Sequence, residues 1–208
     1  MNYIQFRQLL KDFTVFSIND IENNGLNFHR RRLTEWQHKG YIKKIVKGYY
    51  IFSDLECREE VLFEIANRIY SPSYISLKMA LSYYHLIPES VYEITSVSTR
   101  RTYKFKTLVA GFSYRTIKPG LFFGYNIIKY REKSFKMASL EKAILDYFYI
   151  NTDYKDEADF ASLRINKDML FNQVNEERLF AFLQRFGKAS LTERIESFWE
   201  FMNQDDSV

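Results

Sequence analysis

Residues 26–52 constrain this chain more than any other stretch. Leu26-Asn27-Phe28-His29-Arg30-Arg31-Arg32-Leu33-Thr34-Glu35-Trp36-Gln37-His38-Lys39 reads as a basic helix, and Gly40 supplies its stop. Tyr41 to Phe52 then reads as two short β-branched and aromatic strands joined at Lys47-Gly48. Upstream, Tyr3, Phe6, Leu9, Leu10 and Phe13 recur at helical spacing and predict a first helix with one apolar side. Ser17 with Asp20 is a capping-box-like start for a short helix over 17–23, which Asn23-Asn24-Gly25 would end. Asn27 is placed to cap the third helix. Three helices followed by a two-stranded wing is the order of a winged helix-turn-helix, which sets a cationic helix beside a cationic β-turn.

At 100° per residue, the third helix places His29, Leu33 and Trp36 on the side that packs against the first two helices. Arg31, Thr34, Glu35 and His38 fall opposite, with Arg30 and Arg32 on the flanks. The outward set suits a major groove. Arg31 is the expected base reader, because an arginine fork matches guanine O6 and N7. Arg30, Arg32, Lys43, Lys44 and Lys47 suit phosphate contacts, which position the protein without specifying sequence. The plainer alternative is a solvated basic helix beside a hairpin in an unrelated fold.

The 208 residues have room for a sizeable core, and their charge is graded along the chain. Residues 1–53 carry nine Lys/Arg against four Asp/Glu, residues 54–150 fourteen against ten, and residues 151–208 seven against twelve. A basic front and an acidic tail fit an N-terminal nucleic-acid module with something else behind it. The lone Cys57 excludes an internal disulfide and a multi-cysteine metal site. With no secretory leader pattern at the N-terminus and no stretch of about 18 uncharged apolar residues, the expectation is a cytoplasmic protein with no membrane span.

Beyond the wing, helices are expected from Glu56 to Ile69 and from Ser76 to Tyr84. Val91–Val97 reads as a strand, and Tyr103–Leu108, Phe112–Ile117 and Phe123–Tyr130 as a small antiparallel sheet parted by Ala110-Gly111 and Lys118-Pro119-Gly120. Ser139 should cap a helix reaching Ile150, and helices follow at about 156–164, 167–186 and 189–202. The expected class is therefore α+β: a winged helix-turn-helix over 1–53, a mixed domain over 54–150, and a helical C-terminal extension over 151–208 packed on the second domain. The apolar side chains of 176–202 suit either the chain's own core or a second copy, which leaves a homodimer open.

Three further phrases resemble the AbiEi family, the antitoxins of type IV toxin–antitoxin and abortive-infection systems. They are Tyr74-Ile75-Ser76-Leu77-Lys78-Met79-Ala80-Leu81-Ser82-Tyr83-Tyr84-His85-Leu86-Ile87-Pro88-Glu89, Thr95-Ser96-Val97-Ser98-Thr99-Arg100-Arg101, and Met137-Ala138-Ser139-Leu140-Glu141-Lys142-Ala143-Ile144-Leu145-Asp146-Tyr147. With Lys47-Gly48-Tyr49-Tyr50 they occur in family order over about residues 40–150. Tyr84 stands where the family has a small residue, and Leu140 where it often has Pro. The resemblance implies a bipartite antitoxin. Its N-terminal domain would bind double-stranded promoter DNA at an inverted repeat and repress its own operon. Its C-terminal domain would counter a nucleotidyltransferase toxin encoded alongside, in many relatives without a durable complex. Arg100 and Arg101 have two readings: a contact to DNA, RNA or toxin, or a solvated strand end paired with Glu89 or Glu93. For Glu141 and Lys142 the simpler reading is a helix start favoured by the dipole.

No phosphate loop, dinucleotide fingerprint or nucleophile elbow occurs. His29, His38 and His85 lack metal-ligand spacing. The expectation is a non-enzyme with no cofactor and no metal. Asp153-Tyr154-Lys155 has the spacing of a nuclease acid and lysine, but the acids Asp153, Asp156, Glu157 and Asp159 are more simply the charged start of a helix. Two other function classes remain: a module that neutralises its toxin by direct binding, with the winged helix as scaffold, and a nucleic-acid enzyme dependent on Asp153.

Overall fold

Aromatic side chains organise the N-terminal region of the computed structural model, which describes residues 1–23, 28–89 and 91–204. Helix α1 (Tyr3–Leu9) opens on Asn2, whose side chain accepts from the Gln5 amide at 2.9 Å while Gln5 returns the bond to the Asn2 amide at 3.0 Å. After β1 (Phe16–Ser17), helix α2 (Ile18–Asn23) starts with the expected box: the Ser17 hydroxyl accepts from the Asp20 amide, and Asp20 accepts from the Ser17 amide and hydroxyl at 2.7 Å. The expected cap at Asn27 lies outside the described residues. Helix α3 (Arg31–His38) leads into β2 (Ile42–Val46) and β3 (Tyr49–Phe52), and the sheet order is β1-β3-β2, all antiparallel.

Strand alternation makes this small sheet two-faced. Phe16, Ile42, Tyr50 and Phe52 join Phe6, Leu10, Ile21, Leu33 and Trp36 in an N-terminal core. Val15, Ile45 and Ile51 belong to the other, larger core, which extends to Met202. The sheet is thus shared, and polar contacts reinforce the seam. Arg68 pairs with Asp20 at 2.6 Å, and Glu64 accepts from the Thr14 hydroxyl at 2.6 Å and from the Tyr130 hydroxyl.

The larger body contains α4 (Glu59–Ile69), β4 (Ser73–Ile75), α5 (Leu77–Tyr83), β5 (Glu93–Ser98), β6 (Tyr103–Lys106), β7 (Gly111–Thr116), β8 (Tyr125–Tyr130), β9 (Lys133–Ala138) and α6 (Leu140–Ile150). These strands form a six-stranded sheet in the order β6-β7-β5-β4-β9-β8. The expected small antiparallel sheet is corrected to a mixed one, because β5 pairs with β7 and β4 with β9 in parallel. The sequence conceals the two joining strands. The three residues of β4 are all buried and so lack alternation, while β9 mixes Lys133, Ser134 and Lys136 with Phe135 and Met137.

Helix α6 carries the expected cap, its Ser139 side chain accepting from the Lys142 amide, and every residue from Leu140 to Phe148 is buried. It is followed by α7 (Glu157–Ser162), α8 (Lys167–Gln173), α9 (Glu176–Phe186) and α10 (Ala189–Asn203), of which α9 and α10 pack against it. The single helix expected over 167–186 is in fact two. Asn175 breaks it and caps α9, accepting from the Arg178 amide at 2.8 Å while its own amide donates to Glu141 at 3.0 Å. Asp156 caps α7 through a box with Asp159, as its acidic start suggested. Leu179, Leu183, Phe186, Ile195, Phe198 and Trp199 are buried in the chain's own core. The described fold is α+β, and none of its described helices is long and apolar enough to cross a membrane.

Candidate nucleic-acid interface

The backbone at the end of α3 sets the geometry of this surface. Gly40 adopts φ +70°, the Gly40 amide donates to the Gln37 carbonyl at 3.0 Å, and the Tyr41 amide donates to the Trp36 carbonyl at 2.9 Å. These are the two hydrogen bonds of a Schellman motif, and they turn the chain from helix directly into β2. Leu33 and Trp36 anchor the inner face; the Trp36 ring lies 4.5 Å from Phe6 and 5.8 Å from Phe28. With that face fixed by aromatic packing, the opposite residues point outward.

Arg31, Arg32, Thr34 and His38 are exposed as expected, and together with His29, Glu35 and Lys39 they line one shallow concave surface. His29 is a correction: it is exposed rather than packed inward, because α3 begins at Arg31 and the helical wheel does not extend back to residue 29. Its ring instead accepts from the Arg31 amide at 3.4 Å. Arg30 lies just before the helix in an ion pair with Glu22 at 2.9 Å. Lys39, not assigned from sequence, belongs to the surface; its place four residues after Glu35 was the available signal.

Glu35 is the electrostatic centre of this face. Its Oε2 accepts from Arg32 at 3.1 Å and its Oε1 from Lys39 at 2.8 Å. The Lys39 ammonium, ahead of the Arg32 guanidinium, holds the Glu35 carboxyl below its usual range, and Glu35 raises Lys39 in return. Among the described residues, the Arg31 guanidinium has no acidic partner within ion-pair distance. Arg32 and Lys39, by contrast, are both committed to Glu35.

Between β2 and β3, Gly48 adopts φ +87° at the turn, where an L residue would be strained by about 1–2 kcal/mol. Lys44, on β2, and Lys47, beside Gly48, are both exposed. Lys43 is a correction. It shares the body-facing side of β2 with Ile45 and donates to the Ser53 carbonyl at 3.1 Å, so it is tied down away from the other cations.

Arg100 and Arg101 lie in a different region, after β5. Arg100 stacks over the Tyr70 ring at 4.2 Å and donates to the Ser71 carbonyl at 3.2 Å, while the Arg101 carbonyl accepts from the Tyr70 hydroxyl at 2.7 Å. The expected pairing with Glu89 or Glu93 is replaced, and Glu93 pairs with Lys104 at 2.9 Å. Sheet register explains the exchange: Lys104 stands opposite Ser113 and Glu93 opposite Gly111 on adjacent strands, which puts both on one face.

Away from this surface, Lys142, Asp146, Tyr74 and Ser76 form a closed buried network. Asp146 accepts from Lys142 and from the Tyr74 and Ser76 hydroxyls, both at 2.9 Å, and Lys142 also donates to the Tyr74 hydroxyl at 2.8 Å. Burial pushes Lys142 down and Asp146 up, and the attraction between the two opposes both shifts. Gly124 seals the site, since a Cβ there would stand 2.9 Å from Phe182 and 3.1 Å from Lys142. A site with no opening is structural. His85 sits exposed in the turn after α5, and the described residues include no cluster of three His, Cys, Asp or Glu able to hold a metal. Compared with known proteins, the chain matches no family model and no curated sequence.

Proposed function

We propose that residues 1–53 are a winged helix-turn-helix and that the chain is a DNA-binding antitoxin that represses its own operon. The observation that carries the DNA-binding part is the outward face of α3, where Arg31, Arg32, Thr34 and His38 are exposed on a helix locked from behind by Leu33 and Trp36. Arg31 is the base reader in this scheme. Arg30, Arg32, Lys39, Lys44 and Lys47 meet phosphates and give salt-dependent affinity. Docking of the head through a shared sheet holds it at a fixed orientation on the body. Two copies on an inverted repeat would set the half-site spacing. The toxin-countering part, directed at a nucleotidyltransferase, rests on the resemblance of the phrases over 74–89, 95–101 and 137–147 to AbiEi antitoxins.

The test is fluorescence anisotropy of the protein against its own upstream DNA and a scrambled duplex of equal composition at physiological salt. The expected preference is about 10³-fold or more. Replacing Arg30, Arg31 and Arg32 together by Ala should abolish it. Equal, weak, salt-sensitive binding to both duplexes would end the repressor reading and favour a scaffold that meets the toxin directly.

A further inference from the structure

The outward face of α3 contains one carboxylate among its cations. Arg31, Arg32 and Lys39 line the surface with His29, Thr34 and His38, and Glu35 stands among them. Both of its oxygens are engaged, with Arg32 three residues before and Lys39 four residues after. Exposed pairs of this kind stabilise a helix only slightly. An acid here is moreover expensive for a DNA-binding surface, because it faces phosphates of like charge.

We infer that Glu35 determines how strictly the α3 face discriminates its own site from other DNA, an inference that deepens the DNA-binding reading and rests on it. Arg32 meets Glu35 through Nη1 alone and Lys39 through one ammonium donor, so on a duplex of arbitrary sequence either they keep Glu35 and bring its negative charge to the phosphates, or they leave it. In the second case the carboxylate is left unpaired against the groove, and both courses weaken binding. On the proper site, a base-edge amino group opposite Glu35 takes the place of the two cations. Cytosine N4 is the natural donor to a carboxylate in the major groove. Arg32 and Lys39 are then released to phosphates without leaving an orphaned charge. Glu35 therefore penalises wrong sequences more than the right one, while Arg31, with no acidic partner among the described residues, contributes its fork in either case.

The experiment compares wild type, Glu35→Ala and Glu35→Gln by anisotropy on the two duplexes over a range of salt. With two cations released, both variants should bind the scrambled duplex about tenfold more tightly, since an unpaired charge near a phosphate is worth on the order of 1 kcal/mol or more. Their salt dependence should steepen by about two in log–log slope, at ~0.9 per added phosphate contact. Affinity for the upstream duplex should rise less or fall, so the preference narrows. A merely structural Glu35 would shift melting temperature and leave the salt slope unchanged. Wild-type preference for upstream DNA with both variants unchanged in scrambled affinity and slope would overturn this inference alone. No wild-type preference would overturn the DNA-binding reading together with it.

Discussion

Two helices of this molecule each carry an acid and a lysine four residues apart, in opposite surroundings. On α3, Glu35 precedes Lys39 and both side chains are well exposed, at 38% and 53%. On α6, Lys142 precedes Asp146 and both are fully buried. The α3 order is the one the helix dipole favours, yet in water such a pair contributes only slightly. Both partners remain in contact with water. The α6 order is the less favourable one, but there the spacing is secondary. Tyr74 and Ser76 supply two hydroxyl donors to Asp146, and the rings of Phe123 and Phe186 lie 5.2 and 5.0 Å from the Lys142 ammonium. Identical spacing thus yields a solvated pair at the surface and a lock in the interior. What differs is the solvent each pair has lost.

The largest expected effect probes the lock. Asp146→Ala leaves Lys142 buried without its counter-charge and should cost about 3–5 kcal/mol in chemical denaturation, and Lys142→Met with Asp146→Leu should still be destabilised, because the buried Tyr74 and Ser76 hydroxyls lose their acceptor. A single-variant loss under 1 kcal/mol would erase the contrast with α3. Next is Gly124→Ala, which meets both a left-handed backbone at φ +70° and a 2.9 Å approach to Phe182. Strain and overpacking together predict a loss of about 2–4 kcal/mol, read as a fall in midpoint at unchanged m-value.

A smaller effect is tied to pH. Burial pushes the Glu141 carboxyl up, but Arg178 at 2.5 Å and the Asn175 amide outweigh it and hold the group below its usual range. A depressed folded-state value means that stability is present above the unfolded carboxylate pKa and drains away as pH falls through the folded one. Arg178→Ala should therefore move the acid-unfolding midpoint to higher pH, and an unmoved midpoint would refute the assignment. Smallest of all, Glu35→Ala should leave folding stability nearly unchanged in thermal melts. A larger loss would make the α3 pair a structural element like that of α6.

Much of the head was legible in the sequence. Gly40, the Lys47-Gly48 bend, the Ser17–Asp20 box and the inward Leu33 and Trp36 are local signals, and the backbone answers each of them. Errors began where local pattern had to be extrapolated. His29 is exposed because α3 starts only at Arg31, and Lys43, expected at a phosphate, donates to the Ser53 carbonyl. The body was less legible. Strand β4 lacks alternation because it is buried throughout, and its parallel pairing with β9 joins residues about sixty apart in sequence. The break at Asn175 has a local signal that the helical reading of 167–186 passes over: Asn175 stands ahead of Glu176 and Glu177, a cap before an acidic first turn.

Taken alone, the chain determined its element types, the punctuation of its turns and caps, and the concentration of positive charge in residues 26–52, since all of these depend on neighbours within a few residues. Only the tertiary structure decided which charges are spent within the protein and which are left for a ligand. Arg100 is committed to Tyr70, Lys43 to Ser53, Lys142 to Asp146, and Arg178 to Glu141, while Arg31 has no acidic partner among the described residues. The reason is physical: whether a charge seeks a partner depends on the water it has lost, and burial is a property of the assembled fold that no short window of sequence contains.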